Sequence, residues 1–87
     1  QLALQTDPQH VRAANNLALV LGMQGRMDEA YVAFEQVQPR AAALKNLSYV
    51  YQQRGEWTEA LDCYRLAQQV DPNLQIPPQL LARAGTL

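Results

Sequence analysis

Two sets of side chains recur at helical spacing. Arg12, Asn15, Asn16, Leu19 and Met23 form the first, and Lys45, Asn46, Tyr49, Gln52 and Gln53 fall in matching places about thirty residues later. Their chemistry is recognition rather than bond making. Arg12 and Lys45 offer cations to carboxylates, Asn16 and Asn46 offer paired donors and acceptors suited to a peptide backbone, and Leu19, Met23 and Tyr49 offer apolar contact. Too few cations line up to form a full carboxylate-binding clamp. The catalytic inventory is poor by comparison. His10 and Cys63 are the single members of their types and lie on different segments. No Ser or Thr sits in a nucleophile elbow. Asp28, Glu29 and Glu59 fall at expected helix starts, where the helix dipole favours negative charge. Metal-ligand spacings and Gly-rich phosphate loops are absent from the sequence, and Gly22 and Gly25 flank a helix end instead. The expectation is a non-enzyme with no cofactor and no metal.

These side chains must be carried by helices. Val11, Ala14, Leu17, Ala18 and Leu21 recur at intervals of three and four, predicting one buried face on a helix from about Gln9 to Met23. Gly25 ends it, and a second helix carries Ala30, Ala33, Phe34 and Val37 toward Pro39. The plan then repeats. A third helix from about Arg40 to Gln53 buries Ala43, Leu44, Leu47, Ser48, Val50 and Tyr51, Gly55 ends it, and a fourth opens at Trp57 or Thr58. Ala60, Leu61, Tyr64, Ala67 and Val70 form its stripe as far as Asp71-Pro72. The second helix reaches its proline about four residues sooner than the fourth. Four residues are close to one turn, so the helix can lose a turn and stay in phase, which places Pro39 near the first position of the third helix.

The ends follow the same logic. Gln1 to Asp7 resemble Arg65 to Asp71 in running an Ala-containing segment into Asp-Pro, so they read as the last turns of a preceding helix. After Asn73 a loop leads to Pro77-Pro78 and a short helix from Gln79 to about Ala84, with Leu80 and Leu81 laid over the stack. The expected organisation is 1–8, the end of a preceding unit; 9–39, a hairpin with a shortened second helix; 40–74, a full hairpin; and 75–87, a capping helix and tail.

Composition agrees with an all-α chain. The protein has 87 residues, rich in Ala, Leu and Gln and poor in Ile, Val and Thr, and a chain this short has no room for a large independent core. Net charge is −1 and the seven Lys and Arg stand apart, which argues against nucleic acid. No apolar run approaches the ~20 residues that span a bilayer, so direct membrane insertion of this segment is not expected. The chain begins with Gln rather than Met and reads as a piece of a longer protein. The compartment stays open between cytoplasm and a periplasmic or membrane-anchored parent.

The pattern resembles the tetratricopeptide repeat, a helix-turn-helix unit of about 34 residues. Leu44, Leu47, Ser48, Tyr51, Gly55, Ala60, Tyr64, Ala67 and Pro72 occupy its signature places in the second unit. The first unit matches through Leu17, Ala18, Leu21, Gly25, Ala30 and Phe34, but Ala14 replaces a bulky residue and Val37 a small one. The resemblance implies an α-solenoid of about two repeats with flanking helix pieces, acting as a scaffold whose first helices line a concave groove for a peptide or helix of a protein partner. Asn16-Leu17-Ala18 and Gln24 to Ala30 also resemble phrases of repeat proteins of bacterial tight-adherence pilus assembly. A homo-oligomer is the alternative, built through apolar ends at Leu2, Leu4, Leu80, Leu81 and Leu87.

Overall fold

The computed structural model describes residues 7–85. Five helices follow one another: α1 (Pro8–Met23), α2 (Met27–Glu35), α3 (Arg40–Gln53), α4 (Trp57–Val70) and α5 (Pro78–Arg83), and no strand occurs among the described residues. The fold is an all-α helical repeat, with α1 and α2 forming one antiparallel hairpin and α3 and α4 the next. The molecule measures 43 × 29 × 17 Å, its thinnest dimension fitting fewer than two helix diameters, so each helix has one to three neighbours rather than a surrounding core.

Each hairpin turn is made the same way. Gly25 (φ +85) donates to the Gly22 carbonyl at 2.9 Å while Arg26 donates to Leu21 at 2.9 Å. Gly55 (φ +75) donates to Gln52 at 3.0 Å while Glu56 donates to Tyr51 at 2.9 Å. Both are Schellman closures, in which a residue at positive φ lets two N–H groups reach back to otherwise orphaned carbonyls. The start of α1 is capped: Asp7 accepts from the N–H groups of Gln9 and His10 at 3.1 and 3.2 Å, with Pro8 as first helical residue. Asp7-Pro8 therefore opens a helix, one or two residues earlier than Gln9 or His10. The expected helix end at Gln1 to Thr6 lies outside the described residues.

Helix α2 has nine residues against fourteen in α4, the lost turn read from the early proline. Pro39 takes the N-cap of α3 rather than its first helical position. Val37, expected on the buried stripe, lies past the end of α2 and is half-buried. Two further apolar positions depart from expectation. Val70 is exposed at the last turn of α4, and Leu17 is 54% exposed although it sits in the periodic stripe of α1. Leu17 faces the side of the first hairpin on which no described helix packs.

The core is a chain of small clusters between successive helices. Ala18, Ala33, Phe34, Ala43 and Val50 join the two hairpins; Ala30, Leu47 and Cys63 continue the seam; Ala60, Leu61 and Tyr64 with Leu80 of α5 close the far end. Among the described residues Ser48 is the one buried polar side chain, and its hydroxyl donates to the Ala60 carbonyl at 2.8 Å, which satisfies it inside the α3–α4 contact. Arg83 of α5 lies over the Trp57 ring at 5.2 Å, adding a cation–π contact to the cap.

Candidate functional site

Where α1 crosses α3, the helices approach closely because α1 has no side chain at the contact. Val50 fills the place a Cβ on Gly22 would occupy, with its Cγ1 only 2.5 Å from that point. Arg54 then ties the ends of the two helices, donating to the Met23 carbonyl at 2.9 Å while pairing with Glu56 at 3.0 Å. The two first helices of the hairpins are thus held side by side, and the face they share carries some of the residues expected from the sequence to meet a partner.

Four of the ten residues expected from the sequence meet there. Asn15, Leu19, Asn46 and Tyr49 line a cleft of about 240 Å³ whose floor is Phe34. Asn15 and Leu19 are half-buried and Tyr49 is exposed at the rim. A fifth side chain joins them that sequence reasoning missed. Gln38, in the tight connection after α2, donates to Asn15 Oδ1 at 2.7 Å and accepts from Asn46 Nδ2 at 2.7 Å. The lost turn of α2 drops Gln38 between α1 and α3. A lone Gln in a turn carries no periodic signal, and only the tightness of the connection could have pointed to it.

The relay orients all three amides in one direction, from Asn46 through Gln38 to Asn15. Asn15 Nδ2 and Asn46 Oδ1 are outside the relay, one a donor and one an acceptor, the complement of a peptide unit. Asn15, rather than Asn16, is the partner of Asn46 across the groove. Asn16, which the thirty-residue repeat pairs with Asn46, is exposed and does not line the cleft.

The remaining expected residues are more scattered. Gln52 is half-buried and donates to the Ser48 hydroxyl at 3.3 Å, so it supports the α3–α4 packing. Arg12, Met23, Lys45 and Gln53 are exposed on α1 and α3 and do not line the cleft.

Residues 41–74 match the family described as tetratricopeptide repeat. The second hairpin is similar to a tetratricopeptide repeat over that span. No curated protein and no solved structure matches the chain. Tetratricopeptide repeats generally mediate protein–protein interaction and are typically non-catalytic scaffolds, and the matched segment holds Lys45, Asn46, Tyr49, Gln52 and Gln53. The first hairpin lies outside the match, where Ala14 and the short α2 depart from the family pattern, yet it follows the same turn and packing plan.

The titratable groups are set by structural surroundings. Burial, with a smaller contribution from Asp62, pushes the Cys63 thiol up to about 11. The phenol of Tyr51 is raised, foremost by burial, and Tyr31 likewise, with a hydrogen bond to Glu35 at 3.0 Å behind it. A hydrogen bond from Arg26 holds the Glu29 carboxyl below its ordinary value. Among the described residues no group of three His, Cys, Asp or Glu could hold a metal ion, and no helix is long and apolar enough to cross a membrane.

Proposed function

We propose that the protein is an interaction scaffold that binds a peptide segment of a protein partner along the face shared by α1 and α3. The cleft of Asn15, Leu19, Asn46 and Tyr49 over Phe34 carries this reading: an apolar slot is flanked by an amide donor and an amide acceptor already oriented by Gln38. A residue with an apolar side chain fits the slot while its backbone C=O and N–H meet Asn15 Nδ2 and Asn46 Oδ1. Arg12 and Lys45, exposed on the same helices, add attraction for acidic flanks of the peptide.

The test is capture of partner proteins by a photo-crosslinker placed at Tyr49, compared with one placed at Leu66 on α4. Crosslinks should form from position 49 and vanish when Asn46→Ala is added, with helicity and melting temperature nearly unchanged. Equal capture from both positions, or capture indifferent to Asn46, sinks the reading.

The pilus-assembly role draws on two phrases only, and both have structural work. Ala18 and Ala30 are fully buried and Gly25 closes a turn, so these phrases account for the hairpin without a partner. Self-association through the far end loses one of its residues, because Leu80 of α5 is 1% exposed and packs against Ala60, Leu61 and Tyr64. Leu2, Leu4 and Leu87 lie outside the described residues.

A further inference from the structure

Residues 36–39 join α2 to α3, and from that short connection the Gln38 amide reaches both first helices. Both of its groups are committed, the donor to Asn15 Oδ1 and the acceptor to Asn46 Nδ2, each at 2.7 Å. A primary amide in the middle of such a relay imposes a rule that holds whichever way the relay runs: it gives a hydrogen to one neighbour and takes one from the other. One asparagine therefore keeps its amide hydrogens for the cleft, and the other keeps its oxygen. A middle residue that could only accept would leave two open oxygens, and one that could only donate would leave two open donors. Gln38 is thus what gives the cleft over Phe34 one donor and one acceptor.

Resting on the reading of this face as a peptide-binding surface, we propose that Gln38 is the specificity-determining residue of the cleft, and that it selects an internal segment of the partner chain over a chain end. An internal apolar residue brings a C=O and an N–H beside its side chain, one acceptor and one donor, and both find a partner while the side chain meets Leu19 and Phe34. A C-terminal residue brings a carboxylate, which only accepts. It sets oxygen against the open oxygen of the relay, and both groups lose water without gaining a hydrogen bond. An N-terminal ammonium, which only donates, fails at the open donor in the same way. Arg12 and Lys45 do not line the cleft, so neither supplies the second donor that a carboxylate needs.

Two peptides that differ only at the last group test the proposal: acetyl-Gln-Ala-Leu closed as a methylamide, and the same peptide with a free carboxylate. Each is titrated into the 15N-labelled 87-residue protein at physiological ionic strength, where exposed cations are largely screened. The side-chain amide signals of Asn15 and Asn46 should move saturably with the methylamide, and the free acid should bind about tenfold or more weakly. In Gln38→Glu the carboxylate accepts from both asparagines, so the bridge and the melting temperature are kept while the cleft shows two oxygens. The methylamide should then bind about tenfold or more weakly at neutral pH. Below about pH 4 the new carboxyl is protonated and donates again, and binding should return. The parent protein, titrated alongside, controls for the groups on the surrounding elements that also titrate, His10 on α1 and Glu35 on α2; Arg12, Arg40, Lys45 and Tyr49 keep their charge state there. A methylamide that moves neither asparagine in the parent overturns the peptide reading of this face and the inference with it. Equal affinity for the two peptides, unchanged binding in Gln38→Glu, or a loss that low pH does not reverse overturns the inference alone.

Discussion

The sharpest constraint at the residue scale is the contact of Gly22 with Val50. Alanine is the better helix former by about 1 kcal/mol, whereas overpacking a filled contact costs about 1–3 kcal/mol. The steric term wins here, because Val50 is fully buried and its β-branched side chain is stiff at χ1. Gly22→Ala should lower unfolding free energy by about 1 kcal/mol or more, and Val50→Ala in the same chain should recover part of the loss; denaturant titration of the double-mutant cycle measures the coupling. Cys63 supplies a second prediction. Its thiol stays protonated in the fold up to about 11, whereas an unfolded thiol ionises near ~8.5. Above ~8.5 the unfolded chain binds fewer protons than the folded one, so stability is intact below that pH and is lost as pH rises through about 11. The denaturation midpoint should fall across that window, and less steeply in Cys63→Ala. Gly22 was visible in the sequence only as a flank of the turn at Gly25. Its role needs the position of the next helix, which a pattern within one helix does not contain.

Between elements, equal sequence signals have unequal worth. Leu17 and Leu47 occupy the same place in their hairpins, and periodicity assigns both to a buried face. Leu47→Ala should cost about 2–5 kcal/mol by opening a cavity against Ala30 and Cys63. Leu17→Ala should stay within about 0.5 kcal/mol, because half of that side chain already meets water. Paired melting curves decide the matter, and similar losses in the two variants would mean that Leu17 is covered. Helix boundaries were legible for a related reason. Gly25, Gly55 and Pro39 act through local backbone geometry, so α3 falls where the sequence placed it, at Arg40–Gln53. The candidate groove residues were legible as a face but not as a cleft. The thirty-residue spacing paired Asn16 with Asn46, whereas packing pairs Asn15 with Asn46 through Gln38.

For the molecule as a whole, stability should be graded along the array. The second hairpin is covered by α2 on one side and α5 on the other, while among the described residues the first has one covered side and a second helix of only nine residues. Nearest-neighbour contacts are what repeat arrays have to hold them, so the less covered unit opens first. Native-state hydrogen exchange should show the slowest amides in α3 and α4 and the fastest helical amides in α2. Uniform protection across both hairpins would mean that the molecule opens as one unit.

The Asn46–Gln38–Asn15 relay sets the width of the cleft over Phe34 with three amides, none of which titrates. The slot therefore keeps its gauge across the whole pH range in which carboxylates and imidazole change charge, and dissolved ions do not screen it as they screen Arg12 and Lys45. Ionic strength should change how quickly a partner arrives, and leave alone the shape that it finds.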